Sequence, residues 1–584
     1  MKGSTYLVLL LVAFASLSAS STAFEPNSVA TNPKLANFTE AFYPPQVLNV
    51  TDGVYVARGY NRDNPVLIEG DDGLIIVDPG ESITAAEIVK KAFNDTLDNI
   101  FDKKPVKAII YTHHHDCHIH GASVFAGNNS PEIIVSENFN KTLYADWFGQ
   151  LFPNRAIGGA MMGGILFGRD PGYDSGGALF AVQWPGPSGY MPPTIVVKDS
   201  LDINISDVHL NIFTVPGETR DVLVVWLPEK KLMVQIANFY EAFPAITTLR
   251  GAYPRNPLDY IDSIDFYRTF NAEYLVLCHG PHPVLKGEEN ISRELTNYRD
   301  AIQFVHDQTV QYMNKGLTPG EIKDLVKLPA HLADDPYLQQ LYGQVDRDIY
   351  EIFWWYRGYF TGKCRDLYMH SPQDEAEMAA ELAGGVDKLA DKARQALDEG
   401  KAEWALELAD DVLILDARNA AARETKNQSL ITLAEKTFNA QERNYLLSEY
   451  LVETGQVKMQ PRGFAAIDDR FVPFMPMNDL LRIMAVRLNA TKSLDKDMTV
   501  ALSLTDLKNS SEPSDYSLHV RMGILEALPG PADNKELALT TDSLTWKTLG
   551  LAKLDPHEAV ETGKVTITGG EPEAFYEFMD LFNQ

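Results

Sequence analysis

The chain has 584 residues, 45% of them apolar and 22% charged, a composition that suits a globular protein with several cores. Its formal net charge of −29 repels nucleic acid and anionic membranes, so neither is expected as a partner. Three cysteines, Cys117, Cys278 and Cys364, exclude a disulfide scaffold.

In chain order, "MK" precedes the short apolar run "YLVLLLVAFA" and then small residues, which reads as a secretory leader over 1–23, too short to span a bilayer. Ten Asn-X-Ser/Thr sequons follow, at Asn37, Asn49, Asn94, Asn128, Asn140, Asn204, Asn290, Asn427, Asn489 and Asn509. Chance would give about three or four, so a secreted, N-glycosylated protein is expected. No later segment is apolar for long enough to form a transmembrane helix.

From 53 the pattern is one of short strands. "GVYVARG" leads to "PVLIEGDDGLIIVDPG", where "GDDG" predicts a hairpin turn. "ITAAEIVKKAF" (83–93) has helical spacing, and "VKAIIYTH" (106–113) is a buried strand. This alternation predicts an α/β layered domain over 24–292. The Gly-rich run 157–177 is read as an apolar loop over a cleft, and "AEYLVLCHGPHPV" (272–284) as a closing strand that ends in a loop. Helical patterns dominate 293–456, with helix pairs of repeat-protein size. Strand-like runs and a final helix predict a small α+β domain over 457–584.

The chemistry concentrates in "IIYTHHHDCHIHGA" (109–122), five histidines behind a buried strand. His113 and His115 lie two apart, so both can project to one side, and His118 follows on the next turn. Imidazoles at a strand mouth suit Zn²⁺.

This stretch resembles the T-H-x-H-x-D-H motif of the metallo-β-lactamase superfamily, and "GLIIVDPG", with Asp78 at its turn, resembles an earlier strand of that fold. The three-part layout, with "TLRGAYPRNPLDYIDSI", "HDQTVQYMNKGLTPGEI" and "MNDLLRIMAVRLN", resembles the alkyl sulfatase family, and the resemblance covers nearly the whole mature chain. It implies an αββα sandwich, a helical dimerisation domain and a C-terminal domain similar to sterol carrier protein 2. It also implies a homodimer that hydrolyses alkyl sulfates or similar amphiphilic anions with one or two Zn²⁺ per chain. His113, His115 and Glu218 match ligands of the first metal, and His118 and His279 match ligands of the second. Arg250 matches the arginine that holds sulfate, and Asn238 is a second candidate for substrate binding. Asp116 and Arg250 stand as candidate catalytic residues.

Two positions depart from the family pattern. The family's aspartate falls at Cys117, with Asp116 one place early, and its bridging glutamate falls at Ala237. Either Cys117 ligates as a thiolate, or Asp116 reaches the metal and Cys117 turns inward. A Cys117–Cys278 bridge is a further alternative, and Glu241 is a possible stand-in for the lost carboxylate. These departures leave two rivals to an alkyl sulfatase: a degenerate relative that binds a lipid-like anion without turnover, and a hydrolase of another substrate such as a lactone.

Overall fold

A computed structural model describes residues 29–167, 182–277, 279–459, 462–508 and 510–582. Two mixed sheets face each other at its centre. The first has seven strands in sequence order: β1 Gln46–Thr51, β2 Val54–Arg58, β3 Val66–Glu69, β4 Leu74–Val77, β5 Val106–Ile110, β6 Glu132–Ser136 and β7 Ile195–Val197. The second has six: β8 Ser200–Ile205, β9 Val208–Thr214, β10 Leu223–Leu227, β11 Leu232–Gln235, β12 Tyr274–Leu277 and β13 Val284–Lys286, in the order β13-β12-β11-β10-β9-β8. The expected hairpin joins β3 to β4, with Glu69 opposite Leu74.

The central strands are apolar without alternation because both of their faces are covered. Ile75, Val77, Ala108 and Ile110 of the first sheet pack on Leu210, Ile212, Val225 and Val234 of the second. Leu74, Ile76 and Ile109 point the other way, onto Ala86, Val89 and Phe93 of helix Ile83–Thr96. Helices Pro257–Tyr267 and Glu288–Asn314 cover the outer face of the second sheet through Ile264, Leu295 and Tyr298. The result is the expected αββα sandwich.

Three local readings change. Residues 272–284 do not close the sheet: β12 runs parallel to β11, and β13 pairs beyond it as the edge. The chain does not break at 292/293, which lies inside the continuous helix Glu288–Asn314. The Gly-rich segment is not a loop over its first half, where Phe152–Met162 is helical, and 168–177 lie outside the described residues. Glycine disfavours a helix by about 1 kcal/mol, but here tertiary packing decides: Gly158 lets the helix approach the backbone of Arg250, where a Cβ would fall 2.7 Å from its carbonyl oxygen.

Antiparallel helices follow, among them Val386–Asp398, Ala402–Leu415 and Ala420–Lys436 around Leu389, Ala393, Leu408 and Val412. The last domain is a five-stranded sheet with helices, α+β as expected. It is not a detached appendage. Phe471 stacks on Tyr190 at 4.3 Å, and its carbonyl accepts the Tyr144 hydroxyl at 2.9 Å, so one apolar core runs from the sandwich into this domain.

Candidate metal centre and anion site

The candidate residues gather where strands of both sheets end. Asp78 follows β4 and Thr112–His118 follow β5; from the second sheet Glu218 follows β9, Asn238 follows β11 and His279 follows β12. Asp78, in a left-handed conformation (φ 54°), accepts the Thr112 amide at 2.9 Å and the Thr112 hydroxyl at 2.8 Å. This clamp fixes the turn that launches the histidines. Asp221 plays the same part beside it, accepting the His114 amide at 2.8 Å and lying 3.0 Å from His114 Nδ1.

Two buried donor sets result, and Asp63 and Asp78 form a third group with His118. One ligand atom each from His113, His115 and Glu218 lies within 4.8 Å of the others, and the same holds for Cys117, His118 and His279. The sets adjoin, since the His113 and His118 rings are 4.4 Å apart. His113 Nε2 and His115 Nδ1 approach to 2.8 Å, with Glu218 Oε1 3.8 Å from the latter. Burial holds His113, His115 and His279 well below the usual imidazole range, so all three are neutral, as metal ligation requires. His118 behaves oppositely. Burial alone would lower it, but Cys117 and the carboxylates of Asp78 (2.8 Å) and Asp63 (3.6 Å) raise it well above the usual range. Neither of its ring nitrogens has a well-formed hydrogen bond. The neutral nitrogens of His113 and His115 with the Glu218 carboxylate form a donor set that fits Zn²⁺, whereas His118 must give up a proton before it can ligate beside Cys117 and His279.

Around the first set, Arg250 donates from Nη2 to His115 Nε2 at 2.9 Å, and Arg255 pairs with Glu218 Oε1 at 2.9 Å. Arg250 therefore lies against the first donor set. Asn238 reaches it in another role: its Oδ1 accepts the Glu218 amide at 2.9 Å, and its Nδ2 donates to Val215 O and to Tyr267 Oη. Fully buried and with its amide engaged on both sides, it positions Glu218 rather than touching substrate. Gly217 permits this, since a Cβ there would lie 2.2 Å from the Asn238 oxygen.

Of Asp116 and Cys117, only Cys117 lies in a donor set. The two residues open a 3-10 turn, whose successive side chains point about 120° apart. Asp116 turns to Arg62, with oxygens 3.1 and 3.2 Å from its two terminal nitrogens, and Asp116 belongs to neither donor set. Burial would raise its pKa, but Arg62 prevails and lowers it to about 2. A carboxylate so weakly basic and already paired is poorly suited to proton transfer, the chemistry open to Asp116 as a candidate catalytic residue. Cys117 is a free thiol, pushed up by burial; Cys278 lies outside the described residues. Glu241 does not replace the missing carboxylate. It accepts the His282 amide at 2.9 Å and lies 2.7 Å from His282 Nδ1, while Ala237 sits in the apolar core.

Asp63, Asp221, Arg62 and Arg255 were not singled out from the sequence. Arg255 and Asp221 lie within "TLRGAYPRN" and "GETRD", beside residues that were, but nothing in either spacing marks them.

Three family models match in this order: metallo-beta-lactamase superfamily over 61–279, alkyl sulfatase dimerisation over 318–454 and alkyl sulfatase C-terminal over 466–584. The chain is 32% identical over 499 residues to a linear primary-alkylsulfatase of a Pseudomonas species, covering 82% of this chain and 90% of that protein. It is 24% identical to an alkyl/aryl-sulfatase of Saccharomyces cerevisiae, covering 92% and 83%. In fold it is similar to the stereoselective inverting sec-alkylsulfatase Pisa1 of a Pseudomonas species (TM-score 0.82, 23% identity, 96% of this chain and 89% of that one). A histidine-rich strand mouth between two facing sheets, followed by the helical and C-terminal domains in this order, places the chain in the alkyl sulfatase family of the metallo-β-lactamase superfamily.

Proposed function

We propose that the protein hydrolyses alkyl sulfate esters to an alcohol and sulfate, with zinc as its metal. The observation that carries this reading is the convergence of His113, His115 and Glu218 within 4.8 Å of one another, with Arg250 in direct contact with His115. His113, His115 and Glu218 would hold one zinc and Cys117, His118 and His279 a second; when bound, zinc supplies a Lewis acid and makes water acidic enough to attack near neutral pH. The chain's own residues do the rest. Arg255 pairs with the Glu218 carboxylate, Asn238 holds the Glu218 backbone amide, and the Asp78 carboxylate lies 2.8 Å from His118 Nδ1. Arg250, whose guanidinium lies 2.9 Å from His115 and has no carboxylate partner among the described residues, would pair with sulfate in a planar, two-pronged geometry.

Elemental analysis alongside sulfate release from dodecyl sulfate tests the reading. Bound zinc and sulfate release, both lost in His115→Ala, are expected; a metal-free protein that releases no sulfate would overturn it. That outcome is the second reading, an anion-binding relative without turnover, and the apolar setting of Ala237 and the capture of Glu241 by His282 favour it.

The homodimer is part of the proposal. Helix Val345–Arg357 lies in the region matched by the dimerisation model and exposes Tyr350, Trp354, Trp355 and Tyr356, and Tyr359 and Tyr368 are exposed beyond it. Such an aromatic cluster suits burial against a second copy, and light scattering on the purified chain reads the mass directly. Secretion is proposed on the leader-like 1–23 and on exposed sequons at Asn37, Asn49, Asn128, Asn140 and Asn204. Asn94 and Asn489 are only half-exposed, and their side-chain oxygens accept backbone amides. Glycosidase-sensitive mass from a eukaryotic host, mapped to the exposed group, is the expected result. No helix among the described residues is long and apolar enough to cross a membrane.

A further inference from the structure

Four arginines surround the donor sets, and they divide into two kinds. Arg62 and Arg255 each face a carboxylate, Asp116 at 3.1 Å and Glu218 at 2.9 Å. Arg250 and Arg155 are equally buried, at 8% and 6% exposure, yet among the described residues no carboxylate pairs with either. Arg155 lies on helix Phe152–Met162, and Gly158 and Met162 follow at helical spacing on the same face. That face rests on the segment carrying Arg250: Gly158 abuts the Arg250 backbone, and Thr248 Oγ1 lies 3.3 Å from Met162 Sδ. The Arg155 guanidinium lies over the Trp147 ring at 4.7 Å, and that indole is 6.3 Å from the His115 ring. Its Nη1 donates to the Asp146 carbonyl at 3.0 Å, while its Nε is buried without a partner. Burial, with repulsion from Arg250 behind it, lowers Arg155 to about 9. A buried cation with no carboxylate partner is costly, and a second one near enough to repel it adds to the cost, unless an anion joins them.

We propose that Arg155 is a second sulfate-binding residue, which with Arg250 forms a two-guanidinium seat for the sulfate group. The proposal rests on the reading of the site as an alkyl sulfate hydrolase and adds a residue to it. Hydrolysis turns R–OSO₃⁻ and water into R–OH, SO₄²⁻ and a proton. Whichever ester bond breaks, the sulfate group ends with one more negative charge than it began with. A second guanidinium therefore favours the transition state and the product over the ester, and its loss lowers kcat as well as raising KM.

Calorimetric titration of inorganic sulfate into the full-length wild type, R155Q and R155K, with thermal unfolding as a check of folding, tests this. R155Q is expected to bind sulfate at least tenfold more weakly and to lose more in kcat than it gains in KM on dodecyl sulfate, with R155K in between. A folded R155Q that binds sulfate within twofold of wild type overturns the proposal, as does a wild type that binds no sulfate. Should R155Q not fold, phenylglyoxal labelling of the wild type decides: sulfate-dependent protection of Arg155 supports the seat, and equal labelling with and without sulfate overturns it. A wild type that binds sulfate through Arg155 yet releases none from dodecyl sulfate supports the seat while overturning the activity.

Discussion

The two halves of the metal site hold donors of similar burial in different surroundings. The first, His113, His115 and Glu218, is braced on every side: Arg255 and Asn238 hold Glu218, and Arg250 holds His115. The second, Cys117, His118 and His279, has a thiol in place of a carboxylate, and Ala237, which lies in the apolar core, offers no ligand. Two cations 3.5–4 Å apart repel strongly, and a bridging carboxylate normally offsets much of that. The contrast teaches that, on the proposed reading, the first half would hold a metal without help from the second, whereas the second would need Cys117 ionised.

Mutating one ligand in each half is the harshest test. His115→Ala should lower sulfate release by about 10³-fold or more, because a ligand of the reactive centre contributes several kcal/mol to the barrier. His279→Ala should cost about tenfold, or 1.4 kcal/mol. Equal losses, read from kcat/KM with metal content measured in parallel, would erase the distinction. The bracing itself can be removed next. Arg255→Ala leaves Glu218 buried without its partner and should cost about 3–5 kcal/mol in metal-free protein, read from urea unfolding. Added zinc should restore more stability to this variant than to wild type, since the cation takes over as counter-charge.

The same contrast explains what was legible before the fold was known. The sandwich strands were, because residues such as Ile75 and Ile76 are buried on opposite faces and leave an unbroken apolar run. The histidines were, because they cluster in eight residues. Arg62 and Arg255 were not: each meets its carboxylate across a long chain separation, 54 residues for Arg62 and Asp116, and no local spacing records that. Asn238 was recognised as a site residue, but its direction was not, because only the fold shows that Val215 and Tyr267 take up its amide. The helix Phe152–Met162 was hidden by its glycines, whose value lies in close approach to Arg250 rather than in local propensity.

Cys117→Asp probes the weak half. Burial pushes the thiol up, so metal binding there must displace a proton and should weaken as pH falls. An aspartate is ionised at lower pH. Zinc stoichiometry at pH 6 should therefore be higher in the variant than in wild type, with an affinity gain of about tenfold. Unchanged stoichiometry would show that the missing carboxylate at Ala237, not the thiol, limits the second site.

The smallest effect concerns Asp116, which belongs to neither half. Arg62 holds its pKa at about 2, against an ordinary 3.8, despite the opposing push of burial. A folded-state pKa below the unfolded one gives stability that is complete above about pH 4 and is lost as pH falls toward 2. The difference corresponds to about 2 kcal/mol. Asp63 and Glu81 run the other way. Burial raises them to about 6 and about 7, so their contribution is complete below their unfolded values and fades as pH rises through that range. Asp116→Asn should therefore be about 2 kcal/mol less stable than wild type at pH 7, with the gap closing as pH approaches 2. Urea unfolding at several pH values separates the alternatives. A gap that persists at pH 2 would mean that Asp116 acts through packing rather than charge, and a variant as stable as wild type at pH 7 would mean that Arg62 finds a sufficient partner in Glu81, 3.4 Å away.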